Sequence, residues 1–496
     1  MRHDRLIVFG AVALCLLMPI QTRAQEPDTW TDPYQPALLP GFVGDMDAYA
    51  DAPRYTIDMV LNVTVTEATI TGHQTVLYTN RTPQIPLDTI VFRLYPNLES
   101  YGGQMQVSNV TADGAPVTPK LDDTNTVLII PLPATLEAGA SVTLEMDFTT
   151  VIEVGEEHLY AQFSYLEGVL ALPNAYPVLS VFEPGQGWWQ VTDHPQGDAV
   201  YSETAFYLVD ITAPADLILV ASGSEIDMTT NGDGTLTHHY AAPLMRDFAL
   251  MANSRYVTLT GEQDGVTVNL YYDPGVRRGT SAAQAGLQMA LDAVRIYNTS
   301  FGPYPFSELD FVQTPTSAGG IEYPGLIVVT DDIWDASDPF FEFVIVHETA
   351  HQWWYSLVGN DQTRDPWIDE SLAQFSVAVY VHDLEGEAGY EGSIEFYTSQ
   401  YEDFIATYPD QKIGLPVIDY EDNAYFYMIY EKGPLFYAEL AETYGYAQVI
   451  TMLQDYFAAY RYEIAEPGDL LESFETSLGE DLDVLFEEWV GEMPVG

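Results

Sequence analysis

The sequence predicts an α+β protein, with a β-rich N-terminal part followed by a mainly helical C-terminal part. Three observations carry this. From Tyr55 onward apolar residues recur at every second position, in short runs separated by turn residues, up to about residues 256–275. From Gly279 the apolar period becomes helical, with Ala282, Ala285, Leu287, Ala290, Leu291, Val294 and Ile296 on one stripe. Residues 338–370 then carry two helix starts of the Asp-Pro type, at Asp338-Pro339 and Asp365-Pro366. A length of 496 residues suits two or three domains. The boundaries expected are 1–24, a signal peptide; 25–50, a leader or linker; 51–256, the β-rich domain; and 257–496, the helical domain.

The first segment has Arg2, His3 and Arg5, then an apolar run from Leu6 to Ile20, then Thr22-Arg23-Ala24 with small residues where a signal peptidase reads. The run is short for a membrane span, so export with cleavage after Ala24 is expected, and no stable span after removal. Cys15, the sole cysteine, would leave with the signal. Residues 25–50 contain Pro, Asp and Gly without a clear period. In the first strand Tyr55, Ile57, Met59, Leu61 and Val63 alternate with Thr56, Asp58, Val60 and Asn62. The aromatic segments Asn174–Pro177 and Gly185–Gln190 interrupt the strand rhythm; they read first as core plugs, with a cleft-lining role as the alternative. After the helix to about Tyr297, strands are expected at 309–313 and 326–330. Two helices follow, the first ending at Gly359-Asn360 and the second running from Asp365-Pro366 to about Leu384. Helices near 393–407, 434–444, 446–460, 467–477 and 480–490 close the chain.

Net charge is −58, from 74 acidic and 16 basic residues. That balance argues against nucleic acid and anionic membrane surfaces as partners. It reads either as a solvated acidic surface or as an adaptation to high salt, where screening relieves self-repulsion.

His347-Glu348-Thr349-Ala350-His351 is an H-E-x-x-H motif. On a helix the two histidines share a face, which suits two imidazole nitrogens on one Zn2+ at about 2.0–2.1 Å each. A hydrolytic zinc site needs three protein ligands and one open position, and Glu370, at the start of the second helix, is the third. Glu348 is placed to take a proton from a water the metal activates. His238 and His239 are adjacent in a strand and face opposite ways, and His382 lies about three turns past Glu370, so none of them competes. Gly319-Gly320 let backbone approach a ligand closely, and Glu322 after them is a carboxylate available to a substrate ammonium; alone, the stretch is an ordinary Gly-rich turn. Tyr430, Tyr425 and Tyr427 are equal candidates for stabilising an oxyanion.

This set resembles the aminopeptidase N family of zinc peptidases, whose H-E-x-x-H, 18 residues and Glu have the spacing of His347, Glu348, His351 and Glu370. The family's Gly-Ala-Met-Glu-Asn loop is similar to Gly319-Gly320-Ile321-Glu322-Tyr323, and its Tyr-x-x-Gly segment to Tyr430–Gly433. The resemblance implies a β-rich saddle or sandwich followed by a thermolysin-like, mainly helical catalytic domain, one zinc per chain and peptide substrates. It implies that Glu322, with Gly319 and Gly320, binds the substrate's N-terminus, and that Tyr430 is the transition-state residue. Ile321, Tyr323 and Ser371 depart from the family's Met, Asn and Gly. The family's second amine-binding residue has no clear match here; Gln162 and Glu167 are weak candidates. The expected activity is removal of N-terminal amino acids from peptides. The alternatives are endopeptidase action on the same core and a catalytically weak peptide-binding protein.

Overall fold

A computed structural model describes residues 29–491, except 156–157, 191–195, 199, 277 and 422. The signal-peptide segment 1–24 lies outside the described residues. The N-terminal half is built on an eight-stranded sheet whose order is 224–230, 235–245, 205–214, 54–63, 67–79, 141–153, 104–112 and 115–116. Its strands pair antiparallel except 54–63 with 205–214. In Arg54–Val63 the period-two pattern becomes geometry. Tyr55, Ile57, Met59 and Leu61 are buried, while Thr56, Asp58, Val60 and Asn62 face solvent. Smaller four-stranded sheets, 218–221/250–253/169–171/164–166 and 178–179/87–93/127–136/120–121, and a two-stranded one, 182–183/187–188, are also in this half.

A five-stranded sheet, ordered 257–263, 266–272, 308–314, 326–330 and 320–321, starts the second half. Helix Gly279–Ser300 crosses between its parallel strands 266–272 and 308–314. Gly320-Ile321 is the edge strand, paired antiparallel with Val329 and Val328. The helices that follow include Pro339–Ala350, Glu370–Glu385, Glu387–Ile405, Gly433–Tyr444, Tyr446–Tyr460, Pro467–Leu478 and Asp483–Trp489.

Three expectations change. The H-E-x-x-H helix ends at Ala350, not at Gly359-Asn360. Trp353 and Trp354 turn into the core there, their indole N–H groups donating to Gly302 O at 2.8 Å and Ser376 Oγ at 3.0 Å, and Tyr355 takes φ 127°. The next helix begins at Glu370, not Asp365, because the buried Asp369 carboxylate accepts from Glu370 N at 2.9 Å and caps it. Finally, the stretch read as leader or linker is folded from residue 29. Tyr34, Leu38 and Met46 are buried. Leu39 N donates to Pro305 O at 2.8 Å and Arg461 pairs with Asp45 at 2.7 Å, so the segment straps the β-rich half to the helical half.

The halves also meet through Arg246, which is buried. Its guanidinium donates to Tyr355 O at 2.7 Å, Ser202 O at 3.2 Å, Leu357 O at 3.3 Å and Glu463 O. Gly359 makes room for it, since a Cβ there would overlap the guanidinium. The aromatic segments are core plugs: Tyr176 is buried and accepts from Phe248 N at 3.1 Å, and Trp189 donates to Asp361 Oδ2 at 2.9 Å.

Candidate active site

Helix Pro339–Ala350 begins as its sequence dictates, with Asp338 accepting from Phe340 N and Pro339 in the first turn. It delivers His347 and Glu348 from its last turn and His351 from its C-cap. The helix that starts at Glu370 runs back alongside it, so that its first turn meets the histidines while Tyr380, near its far end, donates to Glu342 Oε1 at 3.0 Å. Its N-terminal peptide dipoles favour a carboxylate at that position. His347 Nε2 lies 3.2 Å and His351 Nε2 3.3 Å from Glu370 Oε2, and the two imidazole nitrogens are 3.1 Å apart.

That triangle fits zinc. Bonds of about 2.0–2.1 Å in a tetrahedron put ligand atoms roughly 3.3–3.4 Å apart. The His351 tautomer fits as well. His351 Nδ1 donates to Trp354 O at 3.0 Å, leaving Nε2 free to ligate. Behind His347 stands Gln374, one turn after Glu370 on the same helix. Burial raises the Glu370 carboxyl, but the two imidazoles outweigh it and hold the group well below the usual carboxylate range.

Glu348 is 6% exposed. Burial pushes its carboxyl well above the usual range, and Glu322 adds to this. Gly320 faces it directly: a Cβ there would sit 2.5 Å from Glu348 Cγ, so the edge strand comes this close only as glycine. Gly319 lies against Val344 and Phe340 with less constraint. Glu322 follows just past the edge strand, buried, accepting from Gln362 Nε2 at 3.0 Å.

Residues 427–432 form one π-helical turn, a distortion common at functional sites. It points the Tyr430 ring at His347, with centroids 6.0 Å apart, and its hydroxyl at Glu370. Tyr427 turns away and stacks on Phe404 at 4.4 Å. Tyr425 stands behind Tyr430 at 6.1 Å. All of the sequence-chosen residues except Glu167 line, or lie beside, one cavity of about 870 Å³. Glu167 instead offers its backbone carbonyl to Arg255.

The sequence reading missed Asp198, which has no local motif. Its carboxylate oxygen lies within 4.8 Å of those of Glu322 and Glu370, and Gln162 Nε2 donates to it at 3.1 Å. Gln162 lines the cavity too. Gln374 was within reach of sequence reasoning as the residue four after Glu370; Gln362 was not, since only tertiary contact brings it to Glu322.

Residues 286–489 match the Peptidase family M1 domain. The chain is 25% identical over 375 residues to the human thyrotropin-releasing hormone-degrading ectoenzyme, covering 71% of this chain and 34% of that protein. To aminopeptidase N of Streptomyces lividans it is 24% identical over 202 residues, 38% of this chain and 23% of that one. The chain thus spans about a third or less of the length of these curated relatives. The M1 zinc metallopeptidase from Deinococcus radiodurans superposes with a TM-score of 0.68 at 20% identity, covering 90% of this chain and 95% of that one. A mutant of that same metallopeptidase, bound to a Tyr-Ser-Ala substrate, gives 0.66 with the same coverage and identity. The fold is therefore that of two-domain M1 peptidases.

Proposed function

We propose that this chain is a member of peptidase family M1, the aminopeptidase N family, and that it is a zinc aminopeptidase that hydrolyses the first peptide bond of its substrates; the match of residues 286–489 to the family's domain supports this. One observation carries the reading: Glu322 and Asp198 converge beside the His347–His351–Glu370 triad, with Asp198, Glu322 and Glu370 oxygens within 4.8 Å of one another. Carboxylates so close repel one another unless a cation lies between them. A substrate's free ammonium meets that need and places the first carbonyl at the triad.

Zinc held by His347, His351 and Glu370 supplies Lewis acidity, which polarises a carbonyl and acidifies water. The chain's own groups do the rest. The edge strand at Gly320-Ile321 pairs with extended substrate backbone. Glu348 takes a proton from the attacking water as the C–O bond forms, and delivers it to the leaving nitrogen as the C–N bond breaks. The Tyr430 hydroxyl donates a hydrogen bond to the oxyanion.

The test is a panel of aminoacyl amides, free and N-acetylated, with the zinc-loaded protein and its Glu348→Gln variant. Turnover of the free forms alone is expected, falling about 10²–10⁴-fold in the variant while one zinc per chain stays bound. Equal turnover of acetylated substrates would favour an endopeptidase, and full activity in Glu348→Gln would sink the mechanism.

We also propose that the protein is exported. Support comes from the basic start, apolar run and Thr22-Arg23-Ala24 of the first 24 residues. Among the described residues no helix is long and apolar enough to cross a membrane. A mature chain beginning at Gln25 is expected on N-terminal sequencing; an intact Met1 on exported protein would overturn cleavage.

A further inference from the structure

The cavity wall carries one carboxyl group that the reaction does not use. Asp198, Glu322, Glu348, Glu370 and Glu431 all line it, and among the described residues no lysine or arginine does. Glu370 is a ligand, Glu348 the proton carrier, and Glu322 with Asp198 the ammonium site. Glu431 is left over.

Glu431 is 5% exposed, and among the described residues its Oε2 meets no hydrogen-bond donor. The neighbouring cation, Lys432, is turned away, with Nζ 2.7 Å from Asp410 Oδ1 and 2.7 Å from Gln411 O. Burial pushes the Glu431 carboxyl up to about 8, with no neighbouring group drawing it back. A buried carboxyl without a partner is costly, so a cationic ligand group that enters beside it gains what the protein does not supply. The surroundings suit one. Phe343, Phe396, Phe426 and Tyr427 line the same cavity, and aromatic faces take the stems and heads of lysine and arginine. Glu431 follows Tyr430 in the same π-turn, lines the same cavity and lies near Tyr397, the neighbour of Phe396.

We infer that Glu431 recognises a cationic side chain on the first residue of the substrate, so that the protein prefers peptides beginning with lysine or arginine. This rests on the aminopeptidase reading above. The ammonium goes to Glu322 and Asp198, the side-chain charge to Glu431, and a single residue carrying both charges satisfies both ends of the acidic wall.

The experiment compares isosteric pairs as p-nitroanilides: lysine against norleucine and arginine against citrulline, on the zinc-loaded full chain. In each pair the stem is kept and only the charge changes. We expect kcat/KM for the charged member to exceed its neutral partner by about tenfold or more, and the ratio to fall toward one in Glu431→Gln. Glu431→Asp keeps the charge and is expected to retain part of the ratio; thermal unfolding reports whether either variant folds. Because the readout is a ratio within one protein, a general loss of activity does not imitate the effect. A wild-type ratio of one or below overturns the inference without any variant. So does an unchanged ratio in folded Glu431→Gln. Turnover of the neutral substrates with no preference sinks this inference alone, whereas no turnover of any free aminoacyl substrate sinks the aminopeptidase reading and this inference with it.

Discussion

Tyr430 reaches the site by its hydroxyl alone, and that makes its contribution measurable. Its ring packs against Phe426 at 5.4 Å and Tyr425 at 6.1 Å, contacts that a phenylalanine keeps. Tyr430→Phe should therefore fold normally and lose only the hydrogen bond to the developing oxyanion. A fall in kcat of about 10²–10³-fold is expected, with KM little changed, because the bond forms in the transition state and not in the ground state. A matching rise in KM at constant kcat would make Tyr430 a binding residue instead. Residues 347, 348, 351 and 370 were legible in the sequence because a helix repeats every 3.6 residues and the metal needs its donors on one face. Tyr430 became legible only through family resemblance, since nothing local separates it from Tyr425 and Tyr427. Asp198 was not legible at all; its partners Glu322 and Glu370 lie far along the chain and meet it only on folding.

The element that sets Tyr430 is the π-turn 427–432, pinned against the Glu370 helix. Ser371 Oγ donates to Ile429 O at 2.8 Å, and Gly433 has no side chain where Ser371 stands, so the two elements touch closely. The serine that departs from the family's glycine is thus accommodated by the glycine at 433. Gly433→Ala should push the turn away, costing about 1–3 kcal/mol of stability and lowering kcat further than that loss of stability explains. Adding Ser371→Gly should restore much of both, measured as a double-mutant cycle by thermal unfolding and kcat. Additive effects would break the proposed contact. Element boundaries were the least legible feature. The helix expected to reach Gly359 stops at Ala350 because two tryptophans find core positions, which is a tertiary preference and not a propensity.

At the scale of the whole molecule, two halves are held together by buried polar groups. Next to Arg246, Asp247 is fully buried, and burial raises its carboxyl from 3.8 to about 7, only partly countered by the Tyr355 hydroxyl. Asp365 is raised to about 7 and Asp331 to about 6, both chiefly by burial. The sign follows from proton counts. Between the unfolded value near 4 and these folded values, the native state binds more protons, so its stability falls as pH rises. Metal-free protein should therefore melt at a higher temperature at about pH 5.5 than at about pH 8, and Asp247→Asn should flatten that slope. The overall charge of −58 acts in the same direction, since deprotonation adds to self-repulsion. A melting temperature that rises over that interval would count against these buried acids being protonated.

The amino-acid sequence by itself gave the α+β class, the three candidate zinc ligands, the carboxylate proposed as proton carrier and the family resemblance. Those features are written in short periods: two for strands, 3.6 for helices, four between the histidines. What only the tertiary structure decided were the choices made across long distances. It decided that residues 29–50 strap two halves together and that Asp198 joins Glu322 in an acidic wall. It also left Glu431 in that wall with an oxygen that no donor meets among the described residues. Such choices depend on which backbones can close on each other, at Gly320 against Glu348 and at Gly433 against Ser371. A glycine in sequence signals freedom; only packing shows which neighbour needs the space.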